Sequence, residues 1–399
     1  MIEKQKDLCE QISSIIKDYR SGELDIIINA AHVEKWATQF SKNTQKIVLA
    51  ETLHILSTWY YPKSKIKDYF LVKIENFLTK KYKFNSEQEM LKEIAFVSVQ
   101  KVGNSQKQLV EMMRELVHDQ YMVSLNVDNG TNYMHYVYID DGLYSGSRAR
   151  KDIRVLIEML PKGSTLDVFY LVAGTQNFSY TVETLKECAV ENSVILSFYS
   201  AFPLCNNHVA NRTDDGGFDR HERTQTCLWP DILLENEESI KEYQTSLCLS
   251  AGQEYYLYRR APWTNDKGIF TSVQNRNIVE KEFLKKGIEI VKSIHDPKGK
   301  YPLGYNTFPS FGLGSFCASD LNISNTCPLV LWWSIDWYPL LPRRVNDKDS
   351  NVDIINFKDS LQNNEHHVDQ YNMCPDCGNY FGLETDGGNG YCINCTWNH

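Results

Sequence analysis

Apolar residues recur every three to four positions over residues 2–19, 32–40, 47–60 and 65–80, and this spacing predicts amphipathic helices. Ser21-Gly22 and Tyr61-Pro62 punctuate them. At Ile94 the period changes. Residues 94–99 (IAFVSV) read as a short strand, QKVGNSQKQL follows, and residues 105–118 return to helical spacing. Residues 120–127 and 133–139 read as strands joined by Asp128-Asn129-Gly130-Thr131, a hairpin signal. A helix is expected at 147–160, ended by Pro161-Lys162-Gly163. A strand at 166–172, a helix at 180–191 and a strand at 193–198 follow. Strands alternating with helices predict an α/β fold with a mainly parallel, covered sheet.

Residues 206–226 form a long polar segment holding His208, Arg212, Arg220, His221 and Arg223. It suits either a lid over a phosphate-bearing ligand or a solvated surface loop. Residues 229–294 return to helix, interrupted by EYYLYRRAPWTND, where Arg259 and Arg260 are candidate anion contacts. Residues 301–337 are rich in Gly, Pro and aromatics and are expected to add strands. From Leu340 the chain is polar and of mixed charge, which reads as a linker. The linear division is a helical region at 1–93, an α/β domain with long insertions at 94–343, a linker at 344–372 and a small module at 373–399.

The chain has 399 residues, 42% hydrophobic, with a net charge of −9. That balance excludes a generally basic nucleic-acid binder; any such contact needs a local patch. The start, MIEKQKDLCEQ, carries no secretory signal, and the longest apolar run, 327–333, is too short to span a bilayer. A soluble cytoplasmic protein without a membrane partner is expected. Of eleven cysteines, Cys9, Cys188, Cys205, Cys227, Cys248, Cys317 and Cys327 are scattered, as reduced thiols are.

The richest chemistry lies in residues 135–150, HYVYIDDGLYSGSRAR. An apolar strand delivers Asp140 and Asp141, a small-residue loop follows, and a helix begins at Ser147. Such a junction aims backbone N–H groups at one point, where the helix dipole favours an anion. Acids at the carboxyl end of a strand lie where open α/β sheets place their ligands.

The string YIDDGLYSGS resembles the motif of type I phosphoribosyltransferases, which bind phosphoribosyl pyrophosphate (PRPP). The resemblance implies that fold, and roles for these residues. Asp140 and Asp141 would hold the ribose hydroxyls and act in catalysis. Gly142, Leu143, Tyr144, Ser145, Gly146, Ser147 and Arg148 would line the phosphate and ribose site, with Mg²⁺ arriving on PRPP. Upstream, Lys101, Val102, Gly103, Asn104 and Ser105 stand in the order of a pyrophosphate loop, or of a plain turn capped by Asn104 or Ser105. Family members carry a longer catalytic loop before the motif; this chain has little room for one.

At the C-terminus, Cys374 and Cys377 are followed, after fourteen residues, by Cys392 and Cys395. Two CxxC knuckles around a Gly-rich segment suit a tetrahedral, structural Zn²⁺ in a small ribbon. The alternative, a redox pair, lacks its usual βαβ surroundings. Residues 371–399 contain no Lys or Arg, which favours fold stabilisation or protein docking over nucleic-acid reading.

Residues 32–40 (HVEKWATQF), the central motif, and 325–333 (NTCPLVLWW) together resemble phosphoribosyltransferase-like effectors of bacterial conflict (anti-phage) systems. The resemblance implies a defence role and a protein partner such as an ATPase or a reverse transcriptase. Three functions stay open: a phosphoribosyltransferase-like enzyme, a non-catalytic nucleotide-sensing or partner-binding module, and an RNA-directed toxic effector. The last requires a basic groove near Arg148, Arg150, Arg259 and Arg260.

Overall fold

The computed structural model describes residues 2–99, 105–128, 132–205, 226–249, 254, 257–261, 263–306, 309–343 and 383–384. In chain order the elements begin with α1 (Ile2–Ile16), α2 (Ala30–Ala37), α3 (Gln45–Trp59), β1 (Tyr60–Tyr61) and α4 (Lys63–Lys67). A π-helical turn (Asp68–Ile74) leads to α5 (Glu75–Lys81), α6 (Glu87–Glu93), β2 (Ile94–Phe96) and α7 (Ser105–Tyr121). Then come β3 (His135–Leu143), α8 (Ser147–Met159), β4 (Thr165–Gly174), α9 (Thr175–Glu191) and β5 (Ile195–Leu204). The remainder holds α10 (Glu238–Ser246), α11 (Val273–Ser293), β6 (Lys300–Tyr301), β7 (Gly304–Tyr305), β8 (Ala318–Ser319), α12 (Leu329–Trp332) and β9 (Leu383–Glu384). No helix of the described residues is long and apolar enough to cross a membrane.

The chain folds as two compact units, Met1–Lys63 with Leu204–Ile354, and Ser64–Pro203 with Ile355–His399. This differs from the linear division at residue 93. Helices α5 and α6, which precede β2, fall in the unit of the sheet, while the described residues from Leu204 to Arg343 fall in the unit of α1–α3. In that first unit the two segments 32–40 and 325–333 meet. Trp36 Nε1 donates to Val330 O at 2.8 Å, and Trp36 stacks edge-on against Phe40 within one aromatic core. His32 is buried between the Tyr338 hydroxyl and Leu340 O, each 2.8 Å away. Leu340 and Leu341 are fully buried, so the chain is still core where its polarity reads as linker. Arg259, a candidate anion contact from the sequence, is also fully buried: Glu280 (2.8 Å) neutralises it, and Asn277 (2.6 Å) and Trp229 O accept from its terminal nitrogens. It lines no basic groove.

The second unit carries a five-stranded sheet ordered β2-β3-β4-β5-β9, with β2–β3 and β3–β4 parallel and β9 antiparallel to β5. β4 (TLDVFYLVAG) is buried at nine of its ten positions, as a strand covered on both faces must be. Tyr136, Tyr138, Leu166, Val168 and Tyr170 face α8 and α9. The other face takes α5, where Phe77 packs edge-on against Phe169 and Tyr199. The expected pairing of residues 120–127 with 133–139 is absent among the described residues, and the turn residues 129–131 lie outside them. Asn126 O accepts from Phe96 N (2.9 Å), and Val127 bridges Phe96 in parallel, so this segment lies along β2. β3 meets β2 on one side and β4 on the other, which leaves it no antiparallel partner.

Candidate functional site

The motif residues lie in one stretch at the carboxyl edge of β3. The strand runs past Ile139, where the sequence predicts its end, to Leu143. Asp140 pairs with Tyr170, Gly142 with Val172 and Leu143 with Ala173. Asp and Gly are poor strand formers, but β4 continues alongside them and its ladder decides the outcome. Both acids are therefore strand residues. Leu143 is in the core at 1% exposure, so only its backbone is available to a ligand.

The turn that remains is Tyr144-Ser145-Gly146. The Tyr144 ring folds over Gly142, and a Cβ there would collide with it. Gly146 has φ +70°, a left-handed conformation that suits glycine, and a Cβ would strike Thr181 Oγ1. The turn is clamped from α9: Asn177 Nδ2 donates to Tyr144 O at 2.6 Å. Arg150 lies beneath it, its Nη1 reaching Ser145 O (3.4 Å) and Thr181 Oγ1 (3.3 Å), with the guanidinium 4.8 Å from the Tyr180 ring. Burial lowers its pKa without discharging it. Arg148, by contrast, is exposed.

Gly146 occupies the N-cap of α8 and supplies no side-chain hydrogen bond. The first N–H groups of that helix, including Ser147's, thus lack a side-chain cap and present positive partial charge beside two carboxylates. Under the acids lies a tyrosine pair, Tyr138 and Tyr170, with ring centroids 6.0 Å apart. Burial, then the Asp140 charge, pushes both phenols well above their ordinary pKa, so both stay protonated. The arrangement combines acceptors for sugar hydroxyls with an amide-lined anion seat. Carboxylates accept from hydroxyls and favour nearby positive charge, and helix-terminal amides favour an anion.

β2 runs beside β3, with Val97 N donating to Val137 O at 2.9 Å, and the upstream loop follows it in the chain. Buried Gln106 ties both ends of the loop: its Oε1 accepts from Val99 N (3.1 Å) and its Nε2 donates to Val97 O (3.4 Å). Lys101, Val102, Gly103 and Asn104 lie outside the described residues, and Ser105 opens α7. Cys374, Cys377, Cys392 and Cys395, and residues 206–225, also lie outside them. Sequence reasoning gave no site role to Tyr138, Asn177, Thr181 or Gln106, and named Arg150 only for a basic groove. The proximity of Arg150 to the motif was a usable signal; the others become neighbours only through the fold.

A family model described as PRTase-CE matches residues 33–343. No curated protein and no solved structure matches the chain.

Proposed function

Since the chain belongs to the PRTase-CE family, and so is a phosphoribosyltransferase-like protein, we propose that it binds PRPP or a related ribosyl phosphate at residues 140–147. The observation that supports this most is the passage from two strand carboxylates, through a three-residue turn locked at Gly146, into the uncapped N-terminus of α8. The strand end offers a carboxylate acceptor for ribose hydroxyls, and the turn and helix amides take the 5′-phosphate. Mg²⁺ bound with the ligand would supply charge neutralisation. In the enzymatic form of this reading, the C1–O bond to pyrophosphate breaks through an oxocarbenium-like state and an acceptor nitrogen attacks C1. Positioning and electrostatics carry the rate.

The role that fits is an effector of a bacterial anti-phage system acting with a protein partner, an ATPase or a reverse transcriptase. Its support is the likeness of residues 32–40, 139–147 and 325–333 to such effectors. A second reading, a sensor that binds without turnover, draws on the short connection from α7 to β3. Its stretch around Val127 is bonded to β2 rather than held as a hood. Burial of Arg259 withdraws one cation from the RNA-directed reading. Cys374, Cys377, Cys392 and Cys395 form a donor set suited to structural Zn²⁺. Metal analysis of the full chain is expected to find one zinc, lost with Cys374→Ser plus Cys377→Ser; a metal-free wild type removes the ribbon.

Calorimetry with PRPP and Mg²⁺ tests the central reading. Wild type binds, and the Asp140→Asn, Asp141→Asn double variant does not. Absence of binding by wild type refutes the proposal, and pyrophosphate release separates the enzyme from the sensor.

A further inference from the structure

The two acids of the motif are held in different ways. Successive side chains of a strand point to opposite faces, so Asp140 shares the α8/α9 face with Tyr138. The Tyr138 hydroxyl, on a fully buried side chain, donates to Asp140 Oδ2 at 3.2 Å. The backbone N–H of Asp141 donates to Asp140 Oδ1 at 2.9 Å. Asp140 is 6% exposed. Each of its oxygens is thus engaged by the protein itself, and little of it faces water. Asp141 is half-buried, and no described residue donates to its carboxylate.

Bonds of this kind fix the local backbone. The Asp141 amide is turned onto the Asp140 carboxylate just before Gly142 passes beneath the Tyr144 ring. Burial holds the Tyr138 phenol well above its ordinary pKa, so it keeps the proton it donates to the other oxygen. We propose that the pair divides its labour: Asp140, oriented by Tyr138, is a positioning residue that pins the end of β3 and the turn after it. Asp141 is the acid that meets the ligand's hydroxyls. The second half rests on the phosphoribosyl reading above; the first half does not.

Hydrogen exchange on the ligand-free chain and calorimetry with PRPP and Mg²⁺ test the two halves. Tyr138→Phe removes one oxygen and keeps the packing. Tyr138→Phe and Asp140→Asn each speed exchange of the amides of 142–147 by about tenfold or more, while Asp141→Asn leaves them within about threefold of wild type. In binding, Asp141→Asn weakens PRPP by about a hundredfold or more. Tyr138→Phe and Asp140→Asn each cost about tenfold, and together no more than either alone, because they break one bond. Unchanged exchange in Tyr138→Phe overturns the positioning role, as does an additive double variant. Equal losses in Asp140→Asn and Asp141→Asn overturn the division of labour. If Asp140→Asn does not fold, Tyr138→Phe alone decides the positioning role. A wild type that binds no PRPP removes the Asp141 assignment and the phosphoribosyl reading together, and the exchange data still decide the role of Tyr138.

Discussion

At the amino edge of the sheet, Asp167 of β4 is 1% exposed and both of its oxygens are taken. Lys81 Nζ lies 2.9 Å from Oδ1, and the Tyr82 hydroxyl 2.5 Å from Oδ2. The same lysine also donates to Ser197 and Tyr199. Tyr82 also reaches Thr165 Oγ1, which His135 Nδ1 meets at 2.9 Å. At the carboxyl edge, on β3, Asp141 has no such company among the described residues, and the N-terminus of α8 that follows lacks a side-chain cap. Similar chemical groups at two ends of one sheet therefore do different things. The closed cluster has spent its hydrogen-bonding capacity on the fold; the open one keeps capacity for a ligand. A charged residue's meaning comes from whether its partners are already in the protein.

The contrast is broken most severely at the closed end. Asp167→Ala takes the carboxylate away from a nearly buried Lys81 and from the Tyr82 hydroxyl, and is expected to cost about 3–5 kcal/mol in urea unfolding. Lys81→Met combined with Asp167→Leu is expected to cost less than Asp167→Ala, because no buried charge is left unpaired. Folded protein from either variant keeps its PRPP affinity. A loss of affinity without a loss of stability would reverse the assignment of the two edges.

At the open end, Gly146→Ala forces a side chain into a left-handed turn and against Thr181. It is expected to cost about 1–2 kcal/mol in stability and to weaken PRPP about tenfold or more. Calorimetry on the folded variant checks this. A third carboxylate of the same unit is neither closed nor open. Glu75 is buried, its Oε2 accepts from Tyr121, and its Oε1 has no hydrogen-bond partner among the described residues. Burial raises its pKa to about 8. A carboxyl whose folded pKa lies above its unfolded value stabilises fully below the unfolded value and loses that contribution as pH rises through about 8. Glu75→Gln is therefore expected to raise the thermal midpoint at pH 8.5 by about 2–4 °C and to change little at pH 4.5.

The smallest effect is the pH response of the closed cluster. Burial pushes the pKa of His135 below its ordinary value. A histidine held neutral in the fold contributes its stability above the unfolded pKa of about 6.5, and loses it as pH falls toward the folded value. His32 in the other unit is shifted the same way by burial. The urea midpoint is expected to fall between pH 7.5 and 5.5, and His135→Gln to flatten its part of that slope slightly.

The carboxyl edge was legible from the sequence because it is local. A strand, two acids, small residues and a helix start follow within a dozen positions, and no distant residue is needed to see them. What the sequence hid depends on distant partners. β3 continues through Asp140–Leu143 because β4 lies beside it. Asn177 and Thr181 reach the turn from a helix that starts beyond β4. The hairpin signal at 128–131 was outweighed by the pairing of Val127 with β2. Arg259 reads as a surface charge until α11 supplies Glu280. The joining of Leu204–Ile354 to Met1–Lys63 leaves no local mark at all.

Hydrogen exchange of the wild-type chain, with and without saturating PRPP and Mg²⁺, puts the difference between the edges to its most direct test. Slowing concentrated at residues 140–147 and the first turn of α8, with the strand starts around His135 and Asp167 unchanged, is the expected result. Slowing at the Lys81–Asp167 end, or none along β3 and α8, would contradict it.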